Sequence, residues 1–95
     1  MRDYEIMTIH RPDLAETDVD SKVSEIESFL SESGASVTKR DLWGKRRFAY
    51  EIDHLSEGYY SVLSIQAQPE LVETLDRRLT FSDEVLRHKI VRAGE

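Results

Sequence analysis

The feature that most constrains the fold is an apolar stripe within residues 13–33. Its members recur at the helical spacing i, i+4, i+7 and i+11, at Val19, Val23, Ile26 and Leu30. Acidic residues lie among the outward positions, so the pattern predicts an amphipathic helix with one face in a core. Thr17 and Asp20 have the spacing of a capping pair, and Gly34 lies where a left-handed cap would end the helix.

Four further segments have the alternation and the side chains typical of β-strands, at residues 2–10, 35–52, 59–67 and 84–92. The second is predicted to bulge or bend at Gly44. Asp53 to Gly58 is predicted to be the turn before the third strand. A second amphipathic helix is predicted to begin at Pro69 and to end at Ser82-Asp83, with an apolar stripe at Leu71, Val72, Leu75 and Leu79.

The predicted order is therefore β-α-β-β-α-β over one domain, residues 1–95. Each helix has one apolar stripe to bury, and both stripes can be covered by one face of a sheet. We expect an α+β fold, a ferredoxin-like sandwich in which a four-stranded antiparallel sheet carries two helices on one face. The other sheet face would stay open, and the fold alone assigns it no function.

Composition excludes several classes of protein. The chain has 95 residues and no cysteine, which excludes a disulfide framework, a thiol nucleophile and a cysteine-based metal site. No apolar run reaches the ~18–20 residues of a membrane span, and no secretory signal precedes the first strand. We expect a soluble, cytoplasmic protein.

The charge is distributed unevenly along the chain. The net charge is -6, and residues 1–35 contain nine acidic against three basic residues. Basic residues cluster later, at Lys39, Arg40, Lys45, Arg46 and Arg47, and again in the last strand at Arg87, Lys89 and Arg92. An acidic molecule can therefore still present a basic face to a nucleic acid.

No pattern in the sequence indicates catalysis, a metal or a cofactor. His10, His54 and His88 lack the spacing of a metal site and have no paired carboxylate beside them. His88 shares a strand face with apolar neighbours, which favours a half-buried histidine with a hydrogen-bond partner. The acidic residues of the first helix are expected to form a solvated face rather than a cation site.

The basic run from Lys39 to Arg47 is interleaved with aromatic residues. Arginine binds phosphate and stacks on bases, and aromatic rings stack on unpaired bases, so this mixture favours RNA or another acidic partner. The alternative is a charged strand that protects a sheet edge from aggregation. Gly58 and Tyr59 fit part of an RNA-recognition-motif signature, but Glu57 and Ser61 depart from it.

Three separated motifs resemble the bacterial small-subunit ribosomal protein six family along almost the whole chain. The first runs from Met1 to Ile6 and is followed by Arg11-Pro12-Asp13-Leu14. The second, WGKRRFAY at residues 43–50, is similar to the family hallmark W-G-[KR]-R-x-[LF]-A-Y. The third comprises EGYY at residues 57–60 and DEVLR at residues 83–87. Glu51 stands where many members have proline.

The resemblance implies the same fold and a role in ribosome architecture. It implies binding to the central domain of small-subunit ribosomal RNA as a heterodimer with the eighteenth small-subunit protein. Membrane and small-molecule partners are not expected. Tyr50 is expected to pack in the sheet. The expected RNA or partner contacts, including the basic residues of the last strand, are Arg2, Tyr4, Trp43, Lys45, Arg46, Arg47, Arg87, Lys89 and Arg92.

Two other functions remain open from the residues alone. A stand-alone RNA-binding module would bind single-stranded RNA by itself on the open sheet face. A ferredoxin-like homodimer, as an effector-binding domain or a small enzyme, would bury a sheet face against a second copy and enclose a pocket.

Overall fold

The computed structural model describes residues 1–93 and contains six elements in the predicted order. They are β1 (Arg2–His10), α1 (Glu16–Glu32), β2 (Ser36–Ile52), β3 (Leu55–Ala67), α2 (Pro69–Thr80) and β4 (Val85–Arg92). The strands form one antiparallel sheet in the order β2-β3-β1-β4. This confirms the ferredoxin-like α+β fold. Within residues 1–93, neither helix is long and apolar enough to cross a membrane.

The core lies between the two helices and one face of the sheet. The α1 stripe is buried as predicted, with Val23 and Leu30 fully covered, and α2 contributes Leu75 and Leu79. The sheet contributes side chains from its two central strands, namely Tyr4, Ile6, Leu63 and Ile65. Because β1 and β3 are the central strands and both helices cover the same face, the opposite face is open to partners.

The sequence predicts the C-terminal cap of α1 correctly and its N-terminal cap incorrectly. The predicted Thr17–Asp20 cap is wrong, because the N-cap residue is Ala15 and no side chain caps the helix. At the other end Gly34 has φ +96°, and the amide of Ala35 donates to the carbonyl of Leu30 over 2.9 Å. This is a Schellman arrangement, in which glycine adopts the left-handed conformation without a steric penalty. The predicted glycine cap is confirmed.

The turn between β2 and β3 is shorter than predicted. Asp53 and His54 have φ angles of 50° and 65° and form a two-residue turn between the paired Ile52 and Leu55. The predicted turn from Asp53 to Gly58 is wrong, because two left-handed residues suffice to reverse the chain and β3 begins at Leu55. The last pair between β1 and β3 is His10 with Tyr59. Residues 46–58 therefore project beyond β1 as a two-stranded extension, which we name the hairpin arm.

His10 is a buried histidine at the end of β1, on the helix side of the sheet. It is 1% exposed, and Nδ1 has no hydrogen-bond partner among the described residues. It lines a small cavity with Lys22 and Glu25 of α1, Arg78 of α2, and Glu84 before β4. Burial lowers the pKa of the imidazole below its ordinary value of 6.5, and the charge of Glu84 opposes this shift. The structure therefore favours the neutral imidazole.

Lowering the pH from 7.5 to 5.0 is expected to destabilise the fold through His10. The unfolded chain takes up a proton at His10 near pH 6.5 while the folded protein resists it, so stability is lost as the pH falls below that value. Thermal melting at several pH values measures this effect. A His10→Leu variant should lose less melting temperature over the same range, whereas the exposed His54→Gln control should follow the wild type. An equal loss in the wild type and His10→Leu would contradict the assignment.

Candidate nucleic-acid interface

The open face of the sheet, which the helices leave uncovered, combines apolar and basic side chains. Alternation along the strands directs every second side chain to it. In one row across the sheet Ile9 pairs with Tyr60 and with Arg87, and in the next row Met7 pairs with Val62 and with Lys89. Arg87 and Lys89 are exposed at the β4 edge. The open face therefore has an apolar centre, with Arg87 and Lys89 at its β4 edge and Asp41 at its β2 edge.

A bulge in β2 places Trp43 over this face. Leu42 pairs with Ser61 and Gly44 pairs with Tyr60, so Trp43 is the extra residue. Gly44 has φ +82°, a conformation that glycine adopts readily, and the predicted bulge is confirmed. The indole lies parallel to the Tyr60 ring at a centroid distance of 6.0 Å and remains 41% exposed.

Arg46 lies beside this aromatic pair at the base of the hairpin arm. Its Nε donates to the carbonyl oxygen of Trp43 over 3.3 Å, and its guanidinium carbon is 5.8 Å from the Trp43 ring centroid. Phe48 packs against the Tyr60 ring at 6.0 Å with the two planes tilted by 56°. The contacts hold the Arg46 side chain against the open face while its guanidinium stays exposed.

Four of the residues predicted from the sequence are thus brought together on the open face: Trp43, Arg46, Arg87 and Lys89. Arg46 and Arg87 come from the two edge strands and lie toward the end of the sheet from which the arm projects. The pairing of Arg46 with Gly58 and of Arg87 with Ile9 sets this position.

Lys45 and Arg47 belong to the same part of β2 but alternate to the helix side of the sheet. The Nζ atom of Lys45 lies 5.2 Å from the Tyr59 ring centroid and 3.9 Å from the Glu57 carboxylate. Arg47 pairs with Glu57 in the ladder, is exposed, and forms no ion pair among residues 1–93. Basic groups therefore surround the base of the arm on both faces.

The other three predicted residues lie away from the arm. Arg2 pairs with Ala67, and Tyr4 pairs with Arg92, at the opposite end of the sheet and on its helix side. Arg2 and Arg92 are exposed, but Tyr4 is 6% exposed and packs in the core. The prediction that Tyr4 offers a contact surface is corrected, because its strand alternation places it with Ile6 beneath the helices.

Tyr50 occupies a different environment from the predicted one. The sequence predicts that it packs in the sheet, but the residue is 73% exposed. The ladder shifts between Arg47–Glu57 and Ile52–Leu55, so residues 48–51 face a single residue of β3. This irregularity turns the ring out of the ladder, and the period-two alternation of the sequence gives no sign of it.

Acidic groups occupy the other side of the molecule. Arg40 of β2 contacts the carboxylates of Asp20 and Glu27 on α1, the second at 3.0 Å. His88 is half-buried as predicted, with Nε2 2.7 Å from Asp76 Oδ1. Among residues 1–93 no three metal-ligating side chains converge. Acidic residues thus predominate on α1, whereas the arm carries Glu51, Asp53 and Glu57 beside its basic residues.

Comparison with known proteins matches residues 3–92 to the family described as Ribosomal protein S6. The small ribosomal subunit protein bS6 of Desulforamulus reducens is 43% identical over 95 residues, covering 100% of both chains. Its counterpart from Carboxydothermus hydrogenoformans is 45% identical over 92 residues, 97% of this chain and 96% of that protein. The crystal structure of 30S ribosomal protein S6 from Thermotoga maritima gives a TM-score of 0.90 at 27% identity, covering 96% of this chain and 86% of that chain.

Proposed function

The chain belongs to the ribosomal protein S6 family, and we propose that it binds the central domain of small-subunit ribosomal RNA as a heterodimer with the eighteenth small-subunit protein. Family membership makes it a ribosomal protein of the small subunit, a component of a ribonucleoprotein that serves translation. The observation that carries the finer proposal is that Arg46 and Arg87, from opposite edge strands, lie on the same open face toward the end of the sheet from which the hairpin arm projects.

The RNA contact in this proposal positions phosphates and does not read bases. Arg46, Arg47 and Arg87 are exposed, so their guanidinium groups can approach a phosphate backbone without first leaving a buried site. Arginine donates two parallel hydrogen bonds to phosphate, and such charge-assisted bonds are among the stronger ones in proteins. The projecting arm lets basic groups reach the RNA while the globular part stays outside it.

The partner protein covers the apolar centre of the open face. A shallow depression there is lined by side chains from all four strands, the apolar Met7, Trp43, Val62 and Val91 and the charged Glu5 and Lys89. Trp43 and Val91 are 41% and 40% exposed, large values for apolar side chains. Because this chain carries a net charge of -6, a basic partner on that face would extend the positive footprint toward the RNA.

The proposed role is structural and takes place on the ribosome in the cytoplasm. No catalytic step, cofactor, small-molecule substrate or membrane contact is assigned to the chain. The rigid sheet holds basic and apolar groups in fixed positions. These positions determine how the RNA and the partner protein are placed relative to each other.

A reconstitution with purified components tests this function. We expect the chain alone to bind a central-domain transcript weakly, and the chain with the eighteenth small-subunit protein to bind it more tightly. With about four phosphates neutralised around the arm, the logarithm of the binding constant should fall with the logarithm of the salt concentration with a slope of about -3. Fluorescence anisotropy of labelled RNA over a salt series measures both quantities.

Two results would contradict the proposal and favour the alternatives. Tight, partner-independent binding of unrelated single-stranded RNA would favour a stand-alone RNA-binding module. Sedimentation of the free chain as a dimer, together with no affinity for the transcript when the partner protein is present, would favour a homodimer that buries a sheet face.

A further inference from the structure

Tyr50 is an aromatic ring that the fold leaves without a partner. It is 73% exposed. Trp43 and Phe48 each contact the Tyr60 ring near the β2 bulge, whereas the Tyr50 side chain has no ring contact, hydrogen bond or ion pair within residues 1–93. The ring therefore contributes little to the folded state, and its interactions are available to a ligand.

Tyr50 lies on the part of the molecule to which the proposed function assigns the RNA. The ring lies in the hairpin arm, which projects beyond β1 and carries the exposed Arg46 and Arg47 together with Glu51, Asp53 and Glu57. Phe81 is the contrasting case, because that 80% exposed ring borders a groove on the helix side of the sheet that contains Glu73, Asp76, Arg77 and Arg92. The contrast between the two rings is therefore one of position, because Tyr50 lies on the arm to which the proposed function assigns the RNA and Phe81 does not.

We propose that Tyr50 stacks on an unpaired base of the RNA that the arm binds. The inference rests on the proposed RNA-binding function and adds to it a contact with a base. Every base has a flat π-face, so an exposed tyrosine ring can stack without selecting a sequence. Arg46 on the open face and Arg47 on the helix side would each be placed to hold a phosphate of the same RNA at the base of the arm.

Two substitutions of similar size separate stacking from simple apolar contact. Tyr50→Phe keeps the flat ring and should bind the central-domain transcript, with the partner protein present, within about twofold of wild type. Tyr50→Leu keeps an apolar side chain but has no π-face, and it should bind roughly 5- to 150-fold more weakly, as expected for loss of one stacked base. Fluorescence anisotropy of the labelled transcript gives the affinities, and equal melting temperatures show that all three proteins fold.

Each other outcome overturns the inference. Wild-type RNA affinity in Tyr50→Leu would exclude stacking. Weakened binding of the eighteenth small-subunit protein by Tyr50→Leu, with RNA affinity unchanged, would assign the ring to the protein partner. Equal losses in Tyr50→Phe and Tyr50→Leu would assign the contact to the hydroxyl. In all three cases the wild-type complex still forms, so the proposed function stands, whereas absence of wild-type binding would remove both.

Discussion

Replacing Arg46 and Arg47 together by glutamine is expected to weaken binding of the central-domain transcript about 10- to 100-fold. Both guanidinium groups are exposed at the base of the hairpin arm and would lose charge-assisted hydrogen bonds to phosphate. The slope of the logarithm of affinity against the logarithm of salt should become shallower by about 1.5, because two fewer phosphates are neutralised. Anisotropy titrations of wild type and variant at several salt concentrations measure both changes.

The matched control is Arg77→Gln with Arg78→Gln. These arginines lie on the surface of α2, on the helix side of the sheet, and the change also removes two positive charges. The control should retain RNA affinity within about threefold if the position of the charges matters. Equal losses in the two double variants would show that net charge, and not the arm, governs binding. A fall in melting temperature that matches the fall in affinity would make Arg46 and Arg47 structural residues.

A Gly58→Val substitution is expected to lower the free energy of unfolding by about 3 kcal/mol. A Cβ atom at this position would lie 2.8 Å from the carbonyl oxygen of His10, 2.8 Å from Ile9 Cγ2 and 3.0 Å from Phe48 Cζ. The first of these atoms is backbone in the central strand, so it cannot move aside without disturbing the ladder. The melting temperature should fall by about 12–24 °C for a domain of this size.

A Ser64→Val variant is the control for this prediction. It changes a residue of the same strand on the same open face, where the side chain is only half-buried, and a β-branched residue suits a strand. Its free energy of unfolding should stay within about 0.5 kcal/mol of wild type. Melting of Gly58→Val at the wild-type temperature would show that the arm can shift away from β1 at no cost.

Most of the fold could be predicted from the sequence, because the apolar stripes of the helices and the alternation of the strands follow directly from which side chains are buried. Val19, Val23, Ile26 and Leu30 are all buried on α1, as their spacing requires. The errors lie where local geometry is not set by burial. The hairpin turn uses left-handed Asp53 and His54 in place of a glycine, and the start of α1 has no side-chain cap for a sequence pattern to reveal.

The sequence predicts which residues form the candidate site, but it does not predict which of them share a face of the sheet. Clustering of basic residues singled out Arg46 and Arg87, yet only the register of four strands places them on one face. Tyr4 and Tyr50 were misplaced for opposite reasons. Tyr4 follows the alternation of β1 into the core, while the irregular ladder beside Tyr50 breaks the alternation of β2.

The most direct test of the account is the position of the hairpin arm relative to the RNA in assembled small subunits. The chain contains no cysteine, so a single cysteine can carry a tethered iron chelate that cleaves nearby RNA through hydroxyl radicals. Ser56→Cys on the arm and Ser28→Cys on α1 are matched exposed sites. We expect strong cleavage in the central domain from Ser56→Cys and weak cleavage from Ser28→Cys. Strong cleavage from Ser28→Cys with none from Ser56→Cys would contradict this expectation.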